Sequence, residues 1–365
     1  MLNAGELLRD AAALTDSIRL VDRILRAGMV MRASDIHFDP MRDAVRVRFR
    51  IDGILEEVLN IPAAMAPQVT SRLKILSKLD IAERRAPQDG GFSWRMPNAS
   101  SISPLDVRMA TLPVRHGERV TLRLLETGGK RMALDDLGMN DFDRQVFERT
   151  LLNPQGLLLL TGPTGSGKTT TLYAAINRLL GDAPRNIITV EDPVEYEIPG
   201  VAQAEVDSSD KVNFTKALKS LLRHDPDVVM IGEIRDSASL DAAVKASLTG
   251  HLVLSTLHTK DAKSTLTRLV DMGLDAPLAS ATLHLAVAQR LVRRLCPECR
   301  VRGKRGWVAK GCDKCANRGY KGRTGLFELF SPVAGVATSM ADDARAKVEA
   351  GITSESEVAR VMGEE

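Results

Sequence analysis

Residues 162–169 read GPTGSGKT, a full match to G-x-x-x-x-G-K-[ST], and they sit between the apolar run 157–160 and a helical stretch that opens at Lys168 and runs to about Leu180. Few sequence features constrain a fold so tightly. Gly162, Gly165 and Gly167 let the backbone curl so that successive N–H groups point at one anion, and the positive end of the following helix faces the same point. Pro163, Thr164 and Ser166 occupy the variable positions of this cradle. A phosphate chain belongs there. The Lys168 ammonium reaches its β and γ phosphates as a point charge, the Thr169 hydroxyl ligates Mg²⁺, and Thr170 supports the loop from behind.

A hydrolytic site also needs carboxylates at the ends of neighbouring strands. Two segments supply them. In TVEDPVEY, Glu191, Asp192 and Glu195 follow an apolar run ending at Val190; in DPDVVMIGEIRD, Glu233 follows the run 228–231 and precedes Arg235 and Asp236. Asp192 reads equally as a capping residue at the turn made by Pro193, and Asp236 reads best as the N-cap of the next helix. The segment TGHLVLSTLHTKDA adds His251 before an apolar strand and His258 after it. A lone histidine beside a strand is ordinarily a core or surface residue. Two flanking one strand point to γ-phosphate sensing by His258, with His251 open between that role and a structural one.

The cysteines form a second constellation. Cys296 and Cys299 make one C-x₂-C unit and Cys312 and Cys315 another, with twelve residues between. In a reducing compartment this spacing reads as a tetrathiolate Zn²⁺ site before it reads as disulfides or free thiols. With four ligands and no open position, the metal is expected to be structural.

The alternation of short apolar runs (157–160, 187–190, 228–231, 252–254) with helix-length segments such as 237–248 implies a mostly parallel sheet covered on both faces. A further helix is expected over 278–295, and a polar, helical tail after Phe330. Ahead of residue 127 the pattern differs. Ile18, Val21, Ile24 and Leu25 recur at helical spacing, and Val45, Val47, Phe49 and Ile51 alternate with Arg46, Arg48, Arg50 and Asp52, so a half-buried strand carries a row of arginines that reads most simply as a solvated face. The expected organisation is an α/β chain: an N-terminal α+β domain over 1–126, a hinge over 127–131 (TGGKR), a P-loop domain over 132–290, a tetracysteine zinc module over 291–330 and a helical tail over 331–365.

Composition narrows the partners. Fifty basic against 47 acidic residues leave a net +3, and aromatics make up 4%, which argues against a nucleic-acid motor in spite of the arginine-rich strand. No apolar run approaches the ~18–20 residues a membrane helix needs, and residues 1–10, with Glu6 and Asp10, lack a secretory signal. A cytoplasmic chain without a transmembrane segment is expected.

Taken together, ASDIHFDP (33–40), RFRIDGIL (48–55), KLDIAERRAPQDG (78–90), GPTGSGKTT, TVEDPVEY, LRHDPDVVMIGEIRD, TGHLVLSTLHT, AQRLVRRLCPEC and GRTGLFELF resemble the ATPases of type II secretion and type IV pilus assembly over nearly the whole chain. The resemblance implies a RecA-like P-loop core with a smaller, PAS-like N-terminal domain, assembled as a homo-hexamer, binding ATP and Mg²⁺, and acting on an inner-membrane platform protein. It makes Glu191 the general base and Glu233 the Walker B glutamate, and gives His251 and His258 to a histidine box. It also assigns Arg108 (in DVRMATLP) and Arg123 (in GERVTLRLLE) to the phosphates when the two domains close. The tetracysteine module favours assembly over retraction of a pilus or pseudopilus.

The chain departs from the family pattern at three places. Gly232 stands where a general P-loop ATPase has its Walker B aspartate, leaving Thr169, Glu233 and waters to manage Mg²⁺. Gly91 replaces the arginine of PQDGR, and Lys260 replaces an asparagine after the histidine box. Only about 30 residues precede the ASDIH segment, so recruitment is expected to differ from relatives that carry a further N-terminal domain. The remaining rival, a nucleotide-binding scaffold that does not hydrolyse, conflicts with the intact Lys168, Thr169, Glu191 and Glu233 set.

Overall fold

The computed structural model describes residues 16–96, 104–126, 132–182, 184–206, 214–304 and 306–363. The chain forms two compact units, Met1–Lys130 and Arg131–Glu365. The expected hinge at 127–131 lies outside the described residues.

The first unit opens with helix α1 (Ser17–Val30), whose N-cap Asp16 accepts from the Ile18 amide and whose apolar stripe buries Leu20, Val21, Ile24 and Leu25. Strands β1 (Ala33–Pro40), β2 (Ala44–Ile51) and β3 (Ile54–Pro62) follow, then α2 (Ala66–Leu76), β4 (Gln88–Trp94), β5 (Leu105–Val114) and β6 (Gly117–Glu126). They pair antiparallel in the order β3-β2-β1-β6-β5-β4. One face buries Ile36, Val47, Phe49, Val107, Met109 and Leu122 in a single core with α1 and α2.

The other face of this sheet is polar, and its arginines are engaged. Arg48 and Arg119 both pair with Asp39, at 2.7 and 2.9 Å, while Arg50 and Arg123 both pair with Asp35, at 3.6 and 3.4 Å. The expected solvated row is therefore an ion-paired lattice, because β1 places its two aspartates between strands that carry cations.

The second unit begins with α3 (Asp141–Leu151) and continues through β7 (Gly156–Thr161), α4 (Lys168–Leu180), β8 (Ile187–Glu191), β9 (Ala202–Glu205), α5 (Phe214–Leu221), β10 (Val228–Ile231), α6 (Ser237–Leu248) and β11 (Leu252–Leu257). Beyond lie α7 (Ser264–Asp271), α8 (Ala276–Thr282), β12 (Leu283–Leu295), β13 (Val301–Gly303), β14 (Gly306–Val308), β15 (Tyr320–Ser331), β16 (Val336–Ala337), α9 (Met340–Glu349) and α10 (Glu355–Met362). The main sheet runs β16-β15-β12-β7-β11-β10-β8-β9, parallel from β12 to β9 and antiparallel at the β12–β15 and β15–β16 edge. Leu157 and Leu159 enter one core and Leu158 and Leu160 the other, so β7 is covered on both sides.

The helix expected over 278–295 is overturned. Only α8 is helical; from Leu283 onward the chain is the 13-residue strand β12, paired with β7 on one side and β15 on the other. Apolar residues on both faces of a central strand erase the period-2 signal, and long-range pairing overrides local propensity. The expected border at 290/291 falls inside this strand. The tetracysteine segment is thus an excursion between β12 and β15, two strands of the main sheet, with its own small hairpin, β13–β14. The helical tail is found as α9 and α10, but its charges are partly interior. Lys347 pairs with buried Asp343 at 2.5 Å, and buried Glu357 holds Arg293 and Arg360 at 2.7 and 2.6 Å.

Candidate nucleotide site

Parallel strands deliver their C-terminal ends to one edge, which is where this fold collects chemistry. Thr161, Glu191, Ile231 and Leu257 end β7, β8, β10 and β11, so the loops carrying 162–167, 192–201, 232–236 and 258–263 all leave from that edge. Hydroxyls stitch the edge together. Thr161 Oγ1 lies 2.6 Å from Thr259 Oγ1 and accepts from the Thr259 amide at 2.7 Å, while Thr256 Oγ1 donates to the Gly232 carbonyl at 2.8 Å.

The glycines of the 162–167 loop are required by space. At Gly162, with φ +144°, a Cβ would stand 2.5 Å from the Gln289 carbonyl oxygen; at Gly167, with φ +90°, it would stand 2.8 Å from Gln289 Nε2. Gln289, from β12, is locked beneath the loop by accepting from the Thr171 hydroxyl at 2.8 Å. Lys168 is 9% exposed and donates to the carbonyls of Gly162 and Pro163 at 2.8 and 3.2 Å. Burial holds its pKa below the ordinary lysine range, opposed by the charge of Glu233 and reinforced by Arg290. The Ser166 hydroxyl is buried, 3% exposed, without a hydrogen-bond partner, and Thr169 is exposed at the mouth. A glycine-built loop, one orphaned buried hydroxyl and a held ammonium fit an anionic phosphate chain and the metal that accompanies it.

Glu233 sits at the same edge. It accepts from Arg235, which also reaches Asp192 at 3.2 Å, and its Oε2 lies 3.4 Å from His258 Nε2. The structure thus brings together Lys168, Glu233, Arg235, Asp192 and His258. Asp236 is an N-cap, accepting from the Ser239 amide at 2.8 Å. Glu191 is placed differently. It is 2% exposed and accepts from the Tyr173 hydroxyl, from Thr189 Oγ1 at 2.6 Å and from Gln203 Nε2 at 3.1 Å. Burial of Tyr173 and, after it, the hydrogen bond to Glu191 and the charge of that carboxylate hold the Tyr173 hydroxyl well above its ordinary pKa.

His251 is not brought to this edge. It precedes β11, its carbonyl accepts from the Gly156 amide at the start of β7, and its Nδ1 lies 2.9 Å from the Ala246 carbonyl oxygen. Parallel strands put the residue before β11 and the loop after β7 at opposite ends of the sheet. Arg108 and Arg123 belong to the first unit, where they face each other directly across β5 and β6; Asp35 neighbours Arg123 on β1 and Gly91 neighbours Arg108 on β4. Sequence reasoning missed Gln289, Tyr173 and Arg290. The first and last lay in the segment read as helix; Tyr173 was an ordinary apolar position of α4.

The four cysteine sulfurs lie within 4.8 Å of one another. Cys296–Cys312, Cys299–Cys315 and Cys312–Cys315 are 3.9, 3.8 and 3.8 Å apart, and tetrahedral Zn–S bonds of ~2.3 Å place sulfurs about 3.8 Å apart. The Cys312 and Gly319 amides donate to Cys315 Sγ at 3.3 and 3.2 Å, which favours thiolate. The donor set fits zinc.

Residues 10–362 match the family described as Type II/IV secretion system protein. The chain belongs to that family. It is 49% identical over 313 residues to the type II secretion system protein HxcR of Pseudomonas aeruginosa, covering 86% of this chain and 66% of that one. It is 42% identical over 384 residues to the type II secretion system ATPase E of Vibrio cholerae, covering 95% and 75%. Among solved structures it resembles the Legionella pneumophila ATPase DotB, with TM-score 0.70 at 22% identity over 92% of this chain and 93% of that one. The pilus retraction motor PilT, solved with ADP, matches with TM-score 0.60 at 26% identity, over 90% and 87%. The family-wide resemblance and the RecA-like core read from the sequence are borne out, and no helix among the described residues is long and apolar enough to cross a membrane.

Proposed function

We propose that this chain is the ATP-hydrolysing motor subunit of a type II secretion or type IV pilus assembly machine. It works as a homo-hexamer on the cytoplasmic side of an inner membrane and passes displacement to a platform protein there. The observation that carries the reading is the edge where Lys168, held inside a glycine cradle, meets Glu233 and His258.

In this reading the 162–167 amides and Lys168 bind the phosphates of ATP, with Thr169 holding Mg²⁺ and Glu233 its water shell. Mg²⁺ supplies charge neutralisation of the β and γ phosphates when bound. Glu191 takes the proton of the attacking water. A carboxylate offers about four lone-pair sites, of which three are filled here, and the one left is on Oε2 beside Tyr173. His258, 3.4 Å from Glu233, senses the γ phosphate. Arg108 and Arg123 bring guanidinium charge to the transferring phosphoryl group, which links turnover to the position of the first unit. Cys296, Cys299, Cys312 and Cys315 hold a structural Zn²⁺ that ties the excursion between β12 and β15; a closed thiolate site of this kind favours the assembly motor over the retraction motor. Lys168→Ala is expected to keep the fold and lose ATP turnover by at least about a thousandfold, measured by phosphate release. Undiminished release would overturn the site assignment.

A further inference from the structure

The strand β12 carries a cation to the mouth of the nucleotide loop to which the sequence motifs assign no role. Arg290 follows Gln289, the residue locked beneath the loop, and lies one turn of the β pleat beyond Ala288, the register partner of Thr161. Its Nη1 stands 3.0 Å from where a Cβ on Gly162 would be, next to the buried Ser166 hydroxyl at 2.8 Å from the same point. Two backbone carbonyls aim the guanidinium: Nη1 donates to Gln289 O at 3.2 Å and Nη2 to Lys260 O at 2.8 Å.

The chemistry around Arg290 is unbalanced. The acceptors of both these hydrogen bonds are neutral carbonyls, and a guanidinium has five donors to place. Glu328 and Asp261 act on it only through space, and both are used elsewhere: Glu328 accepts from the Ala262 amide at 2.8 Å and Asp261 from the Ser264 amide at 2.7 Å. Burial therefore lowers the Arg290 pKa, and Arg290 in turn disfavours the charge on Lys168. Two cations and an orphaned hydroxyl converging on Gly162 make a site whose missing component is an anion.

We propose that Arg290 is a phosphate-binding residue for the nucleotide, acting from the same chain as the P-loop and fixed in place by the carbonyls of Gln289 and Lys260. It rests on the reading of the 162–169 loop as the ATP site and adds a contact to it. At Lys260 it is the backbone carbonyl that receives the guanidinium.

The test compares Arg290→Met, which keeps length and removes charge, with Arg290→Lys, which keeps charge, in the full chain. Both are titrated with Mg²⁺–ADP and Mg²⁺–ATP and assayed for steady-state turnover. The methionine variant is expected to bind both nucleotides about tenfold more weakly, with KM raised to match and kcat changed less than about threefold; the lysine variant stays within about threefold of the parent. Equal loss in the two variants would assign Arg290 a packing role and overturn the proposal, as would unchanged affinity in both. Lys168→Ala separates this failure from failure of the site. If it loses turnover while Arg290→Met binds normally, only the Arg290 contact falls; if it too is indifferent, the nucleotide site itself is misplaced.

Discussion

The polar face of the first unit and the strand-end edge of the second both gather charge, by opposite means. At the edge, groups are held by backbone: glycine conformations, parallel register and carbonyls position Lys168 and Arg290, and Glu191 is sealed at 2% exposure by neutral donors. On the first unit's sheet, Arg108 and Arg123 stand directly opposite each other, and a single carboxylate, Asp35, holds Arg123 and Arg50 together. Arg123 is 62% exposed. The first arrangement is preorganised by backbone; the second is a set of ion pairs around two aspartates, each worth little where its arginine meets solvent. A motor needs both kinds.

That contrast can be broken in several places. The largest effect is expected at Gly167→Ala, where a Cβ would press on Gln289 Nε2 at a positive φ. Nucleotide turnover should fall at least about a hundredfold while the first unit keeps its stability; normal turnover would show the cradle to be adaptable. Tyr173→Phe comes next. It removes one of three donors to Glu191 without changing shape, so kcat should fall about tenfold with KM little changed.

Smaller changes follow elsewhere. Asp35→Ala removes the carboxylate that Arg50 and Arg123 share and should destabilise the first unit by about 0.5–1 kcal/mol, lessening with salt. Differential unfolding at low and high ionic strength would read it. The matching test in the second unit uses Glu357, whose pKa is held down to about 2: burial pushes it up, and the Arg360 and Arg293 bonds more than offset that. A lowered folded pKa means its stabilisation is complete above the ordinary glutamate value and lost as pH falls towards 2. The stability gap between the parent and Glu357→Gln should therefore shrink between about pH 4.5 and pH 2, as read by denaturant midpoints.

The two regions also differ in how far they could be read from sequence. The edge was legible because its chemistry is contiguous: GPTGSGKT, TVEDPVEY and IGEIRD each follow an apolar run, and the strands appeared where those runs were. It failed at 283–295, where burial on both faces removed the alternation that marks a strand, and with that segment went Gln289 and Arg290. His251 stays open between two roles in the sequence, because flanking a strand does not show which end of the sheet a residue occupies. The first unit's alternation at Val45–Ile51 gave the strand correctly. Its ion pairs depend on the register β2-β1-β6-β5, which joins residues as far apart as Asp35 and Arg123 and has no local signature.

The measurement that bears most directly on the motor reading is nucleotide affinity and hydrolysis side by side in Arg108→Ala and Arg123→Ala. Both variants should bind Mg²⁺–ATP within a few-fold of the parent and hydrolyse it about a hundred- to a thousandfold more slowly. Hydrolysis at the parental rate in both would mean that the second unit works unaided and that the arginine face serves only to hold its own sheet together.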